Sequence, residues 1–121
     1  MFSELTSVLK FENGSTAVIN YFSNGSKSYS KERLEVYSQE RTFVMDNFRS
    51  TNGFGASGFK NIKTKLDKGH NAQFAEYTKF IEKGGEPLMR FEEIVNVTRA
   101  SFAALLSLKE SRWVHINEYE E

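Results

Sequence analysis

The chain has no cysteine. That absence excludes disulfides, thiolate zinc sites and cysteine nucleophiles together, and it fits the reducing cytoplasm, the expected compartment. Histidine is nearly as scarce. His70 and His115 are the only two; they lie in unrelated contexts without a His-x-x-x-His pair or clustered carboxylates, so no metal site is expected. Net charge is missing as well. Lys and Arg total 16, as do Asp and Glu, so no global field draws the protein to nucleic acid or to an anionic membrane, and neither is expected as a partner. Long apolar runs are absent: nothing approaches a membrane span, and Met1-Phe2-Ser3-Glu4-Leu5-Thr6-Ser7 has neither the basic start nor the apolar core of a leader.

What is present is bulk for one core. A chain of 121 residues accommodates a single domain, and eleven Phe, five Tyr and one Trp can fill the space between a sheet and helices. The first half reads as strands. Leu5, Ser7, Leu9 and Phe11 share one face of an extended segment, Glu12-Asn13-Gly14-Ser15 turns it back, and residues 16–22 form the return strand. Ala17, Ile19 and Tyr21 lie on one side of that strand and Val18 and Phe22 on the other, so it is expected to be central or covered by a second subunit. Residues 32–37 alternate, with Leu34 and Val36 inward and Arg33 and Glu35 outward; residues 41–46 follow at hairpin distance. Ile62, Thr64 and Leu66 alternate with Lys63 and Lys65, which predicts a further strand. Those lysines either protect a solvated sheet surface or edge, or form a phosphate-binding stripe.

The period then changes. Phe74, Tyr77, Phe80 and Ile81 mark one face of a helix from His70 to about Lys83, with Asp67 as its expected N-cap. Gly84-Gly85 ends it and Pro87 prevents its continuation. A second helix is expected from about Phe91 to Lys109, carrying a wide apolar face that includes Ile94, Phe102 and Leu105. The glutamates Glu92 and Glu93 suit its N-terminus. Residues 112–116 read as a short last strand and residues 118–121 as a polar tail. The sum is an α+β domain over residues 1–121: an antiparallel or mixed open sheet with about two helices packed on one face.

Few residues offer chemistry. Gly53-Phe54-Gly55-Ala56-Ser57-Gly58 spells the dinucleotide fingerprint G-x-G-x-x-G. A working fingerprint needs a buried strand before it and an apolar helix after it. Here the approach, Asn47 to Asn52, is polar, and the exit from Lys60 to Leu66 has the period of a strand, so the run is expected to be a flexible connection between strands. No serine occupies a nucleophile elbow. Asp67-Lys68-Gly69-His70 gathers an acid, a base and an imidazole; these residues either start a helix or give His70 a substrate-contact or proton-transfer role. Lys27 and Lys31 flank Tyr29 on an interstrand loop, a place either simply solvated or able to contact a polar ligand. The candidate substrate-binding residues are therefore Lys27, Tyr29 and His70, with no catalytic, cofactor or metal ligand assigned.

One family shows a similar order of segments. Leu9 to Ala17, Asn24 to Val36, Leu66-Asp67-Lys68-Gly69-His70, Gly84-Gly85-Glu86-Pro87 and Phe91-Glu92-Glu93-Ile94 together resemble the C-terminal region of the glucose–fructose oxidoreductase/inositol dehydrogenase (Gfo/Idh/MocA) family. The stretch from Gly25 to Glu35 looks most like its large, multidomain members. The resemblance implies a C-terminal α+β domain that follows an upstream Rossmann domain, helps build a sugar or polyol pocket, and often forms a subunit interface. It implies NAD(P) for the whole protein, with none bound by this chain alone. The family's Glu-Lys-Pro motif is absent, and His70 does not match its catalytic histidine, so no catalytic residue carries over and the isolated chain is expected to be inactive. The resulting expectation is a dimeric substrate-pocket and oligomerisation domain of an NAD(P)-dependent sugar or polyol oxidoreductase. The alternative is a self-contained dimerisation module without chemistry; a small ligand-binding or enzymatic domain ranks behind both.

Overall fold

The structure, a computed structural model, describes residues 4–119. Strands β1 (Glu4–Lys10) and β2 (Thr16–Phe22) form one antiparallel sheet. Strands β3 (Arg33–Ser38), β4 (Arg41–Asp46), β5 (Ser50–Phe54) and β6 (Ile62–Lys63) form a second, paired antiparallel in chain order. Helices α1 (His70–Lys83) and α2 (Phe91–Glu110) follow, then a 3-10 turn at Ile116–Tyr119. This is the expected α+β class, with the strands divided between two sheets.

The chain separates into two compact units: residues up to Thr6 with Ile19–His70, and Ser7–Val18 with Asn71 onward. In the first unit, ladder pairing sorts side chains cleanly by face, because directly opposed residues share a side. Leu34 opposes Met45, Val36 opposes Phe43, and Thr51 opposes both Met45 and Ile62, giving one apolar face. Arg33, Glu35 and Tyr37 oppose Asp46, Val44 and Thr42, giving a polar one.

The glycine run has local structural reasons. Gly53 belongs to β5 rather than to a flexible connection. A Cβ added there would lie 2.5 Å from the Phe59 ring and 3.2 Å from the Phe43 ring, and these two rings meet edge to face with centroids 5.1 Å apart. Gly55 has φ +68°, and a Cβ there would come within 2.6 Å of the Glu40 carbonyl oxygen. The expected strand after the run shrinks to Ile62–Lys63. Asn61 marks its start, since its side-chain oxygen accepts the Gly53 N–H at 3.1 Å, where a strand reaching back to residue 60 would offer a backbone carbonyl. Past Lys63 the Thr64 N–H still bonds the Arg49 carbonyl at 2.7 Å, one step further in the same register.

In the second unit, both helices fall where their periodicity places them. Gly84, at φ +68°, closes α1 by donating its N–H to the Phe80 carbonyl at 2.8 Å. Glu93 accepts the Arg90 N–H at 2.9 Å, so the acidic start of α2 serves as a cap. Ahead of α1, Asp67 is not the N-cap. Its carboxylate accepts the N–H of Gly69 at 2.8 Å, an Asx turn completed before the helix begins at His70.

The expected last strand does not form. Arg112 reaches the Trp113 carbonyl at 3.0 Å and Glu118 at 2.7 Å, while Glu118 accepts the His115 N–H at 2.7 Å. These bonds occupy the groups that a ladder would need and curl the segment into the 3-10 turn. Lys10 lies over the Trp113 ring, 4.5 Å from its centroid. Glu120 and Glu121 of the expected tail lie outside the described residues.

Burial is slight throughout. Ala103, at 7% exposure, is the one buried hydrophobic residue among those described. The stripe of α1 stands open, with Phe74 at 70% exposure and Tyr77 and Ile81 also exposed. Strand β2, expected to be central or covered by a second subunit, is not central: it is an edge in a two-stranded sheet and exposes Val18, Ile19, Tyr21 and Phe22 from both faces. The total accessible surface is 10920 Å². A single globule of this mass exposes about 6,700 Å², and even two separate globules of half the mass expose about 8,100 Å². The area exceeds both figures.

Candidate functional site

One end of the four-stranded sheet collects the features that set a polar site apart. Ser26 starts a turn there: its carbonyl accepts the Tyr29 N–H at 3.1 Å, and its hydroxyl bonds that of Ser28 at 2.8 Å. Lys27 and Ser28 occupy the centre of this turn, which presents Lys27 outward, and Tyr29 is 72% exposed. The chain then enters β3 through Glu32. Its carbonyl accepts the Asn47 N–H at 2.7 Å, and its carboxylate pairs with Lys68 at 3.6 Å. That ion pair ties the turn-bearing loop to the segment leading to His70.

The connection between β4 and β5 lies at the same end. Asn47 and Phe48 have φ of 49° and 52°, the left-handed region that asparagine tolerates and a bulky aromatic resists. Such strain persists only where surrounding contacts hold it. Here the Arg49 N–H bonds the Asp46 carbonyl at 2.9 Å, the Phe48 carbonyl accepts the Asp67 N–H at 3.5 Å, and Lys68 lies 5.8 Å from the centre of the Phe48 ring.

Along β3, Glu35 accepts from Tyr37 Oη at 2.5 Å and from Arg33 Nε at 2.7 Å. The Tyr37 hydrogen bond, then that of Arg33, holds the Glu35 carboxyl below its ordinary range. The same bond to Glu35 pushes the Tyr37 hydroxyl up. Arg33 is raised chiefly by Glu35, with smaller contributions from Tyr29 and Asp46, which places Tyr29 in its electrostatic neighbourhood.

Lys27, Tyr29 and His70 all fall in the first unit. No hydrogen bond or ion pair joins their side chains to one another among the described residues; the Glu32–Lys68 pair links the segments that carry them. His70 is exposed at the start of α1. His115 sits far along the chain, and its Nδ1 accepts the Asn117 N–H at 3.3 Å. Among the described residues no group of three or more His, Asp or Glu side chains is arranged to hold a metal, and no helix is long and apolar enough to cross a membrane. The hollow lined by Phe91, Glu92, Val95, Asn96 and Arg99 is open and built from one helix, so it offers no convergent groups.

The sequence did not reveal the Phe48 conformation, the Glu32–Lys68 pair or the hydrogen-bonded Arg33–Glu35–Tyr37 ladder. Only the alternation of β3, which puts residues 33, 35 and 37 on one side, pointed to the last of these. Compared with known families, with curated proteins and with solved structures, the chain matches none.

Proposed function

We propose that the chain is the C-terminal substrate-pocket and oligomerisation domain of an NAD(P)-dependent sugar or polyol oxidoreductase of the Gfo/Idh/MocA type, without catalytic activity by itself. The observation that carries this reading is the open apolar surface. Leu34, Val36 and Ile62 on one sheet face, and the stripes of both helices, are exposed. Faces of this composition are stable when another domain or subunit covers them. The segment order from Leu9 through Ile94 supplies the family, and the loop end of the sheet supplies the pocket wall, with Lys27, Tyr29 and His70 directed to the substrate.

In this reading the nicotinamide site belongs to another domain, and the second subunit pairs through the apolar sheet face. Calorimetry with NAD and NADP tests the division of labour. The chain alone is expected to show no binding, and the whole protein to bind one nicotinamide per subunit; stoichiometric binding by the chain alone refutes it. The same exposed faces also favour a dimerisation module without chemistry, which predicts no dehydrogenase activity in any form of the protein.

A further inference from the structure

The polar face of the four-stranded sheet has its own geometry, distinct from the loops that carry Lys27, Tyr29 and His70. Ladder pairing places Tyr37, Thr42 and Phe54 in one row across β3, β4 and β5, and Glu35, Val44 and Asn52 in the next. The two aromatic residues flank the first of these rows, with Tyr37 71% and Phe54 58% exposed. They are separated by two strand spacings, roughly 9.5 Å. Between them lies the short, half-buried Thr42 on β4, with half-buried Val44 in the next row and half-buried Asn52 beside Phe54 on β5.

One wall is fixed in place. Tyr37 donates to one oxygen of Glu35 at 2.5 Å while Arg33 donates to the other at 2.7 Å, so ring, carboxylate and guanidinium are mutually positioned before any ligand arrives. The rest of the face is different: the Thr42 hydroxyl and the Asn52 amide make no hydrogen bond with the described residues.

The chemistry of the ligand follows from what each part lacks. An apolar occupant would cover Thr42 and Asn52 without pairing them, which is unfavourable. A polyanion is unsuited, since the charges of Arg33 and Lys63 on this face are balanced by those of Glu35 and Asp46. A neutral ring with apolar C–H faces and hydroxyls around its rim satisfies both requirements. Its faces pack against the aromatic sides, and its hydroxyls pair with the amide, the carboxylate and the guanidinium. We propose that this sheet face binds one hexopyranose ring of a neutral glycan, held between Tyr37 and Phe54 over Thr42 and Asn52. The site stands without the oxidoreductase reading.

The test is a nitrogen-15 NMR titration of the whole chain with methyl α-glucoside and methyl β-glucoside, following the side-chain amide signals of Asn52. Saturable, millimolar binding that shifts those signals is expected. Tyr37→Ala and Phe54→Ala are each expected to weaken it about fivefold or more. Asn52 signals that stay in place at tens of millimolar of both glycosides overturn the proposal, and this arm needs no variant to fold. Binding that survives loss of both aromatic rings, or that shifts signals uniformly over the chain, overturns it as well.

Discussion

Replacing Gly53 with alanine separates two explanations for the glycine run, because backbone and packing push in opposite directions. Gly53 has no positive φ and lies in a strand, so its backbone suits alanine, and the lost freedom of the unfolded chain alone would stabilise the variant by about 0.4–1 kcal/mol. Packing opposes this. The new Cβ meets Phe59 Cδ1 at 2.5 Å and Cγ at 3.1 Å; these atoms lie at the root of the ring, so the whole side chain must swing. That motion forfeits the edge contact with Phe43 at 5.1 Å, a contact of about 0.5–1.5 kcal/mol, and residual crowding adds about 1–3 kcal/mol. The net expectation is a loss of about 1–3 kcal/mol once the backbone gain is set against these costs. Urea unfolding followed by circular dichroism measures it as a lower midpoint at unchanged slope. In a Phe59→Ala background the same substitution should be neutral or stabilising. A raised midpoint with Phe59 in place would refute the packing account.

Three further outcomes follow from other parts of the molecule. Bonds from Arg112, and then from the His115 N–H, hold the Glu118 carboxyl at about 2, below its ordinary 4.5; the folded form thus takes up its proton at lower pH than the unfolded chain. Their stabilisation is complete above about pH 4.5 and lost as pH falls toward 2, so the fluorescence of Trp113 should change over that interval, and Glu118→Gln should abolish the change. Gln39 and Glu40 have φ of 50° and 61° in the turn joining β3 and β4, and the double change Gln39→Asn, Glu40→Gly should raise stability by about 1 kcal/mol in thermal or urea melts. Val36→Asp, on the apolar sheet face, should weaken self-association about tenfold or more in sedimentation experiments, whereas unchanged association would remove that face from the interface.

The elements governed by local periodicity were legible in the sequence. Leu34 and Val36 against Arg33 and Glu35 marked β3, the stripe from Phe74 to Ile81 marked α1, and Gly84 marked its end. The errors occurred where side chains compete for backbone groups. Asn61, just ahead of β6, takes the Gly53 N–H and keeps residues 60 and 61 out of the ladder; Arg112 and Glu118 reach across several residues and curl the expected last strand. Alternation sees neither, because both depend on long polar side chains finding distant donors and acceptors. Position within a sheet was equally hidden. The apolar character of both faces of β2 pointed to a central strand or a covering subunit; the strand is an edge and not central, which leaves the covering subunit as the reading of its exposed faces. At the candidate site, Lys27 and Tyr29 could be placed on a loop from composition. The left-handed Phe48 could not, since nothing in its local sequence favours that conformation and only tertiary contacts hold it.

The mass of the native protein in its source cells, detected with an antibody raised against this chain, tests the central claim most directly. A band larger than 13.9 kDa by at least a domain of roughly 100–150 residues is the predicted result, with dehydrogenase activity following that band through fractionation. A single band at 13.9 kDa would contradict it and leave a free-standing module whose apolar faces are covered by a partner or a second copy.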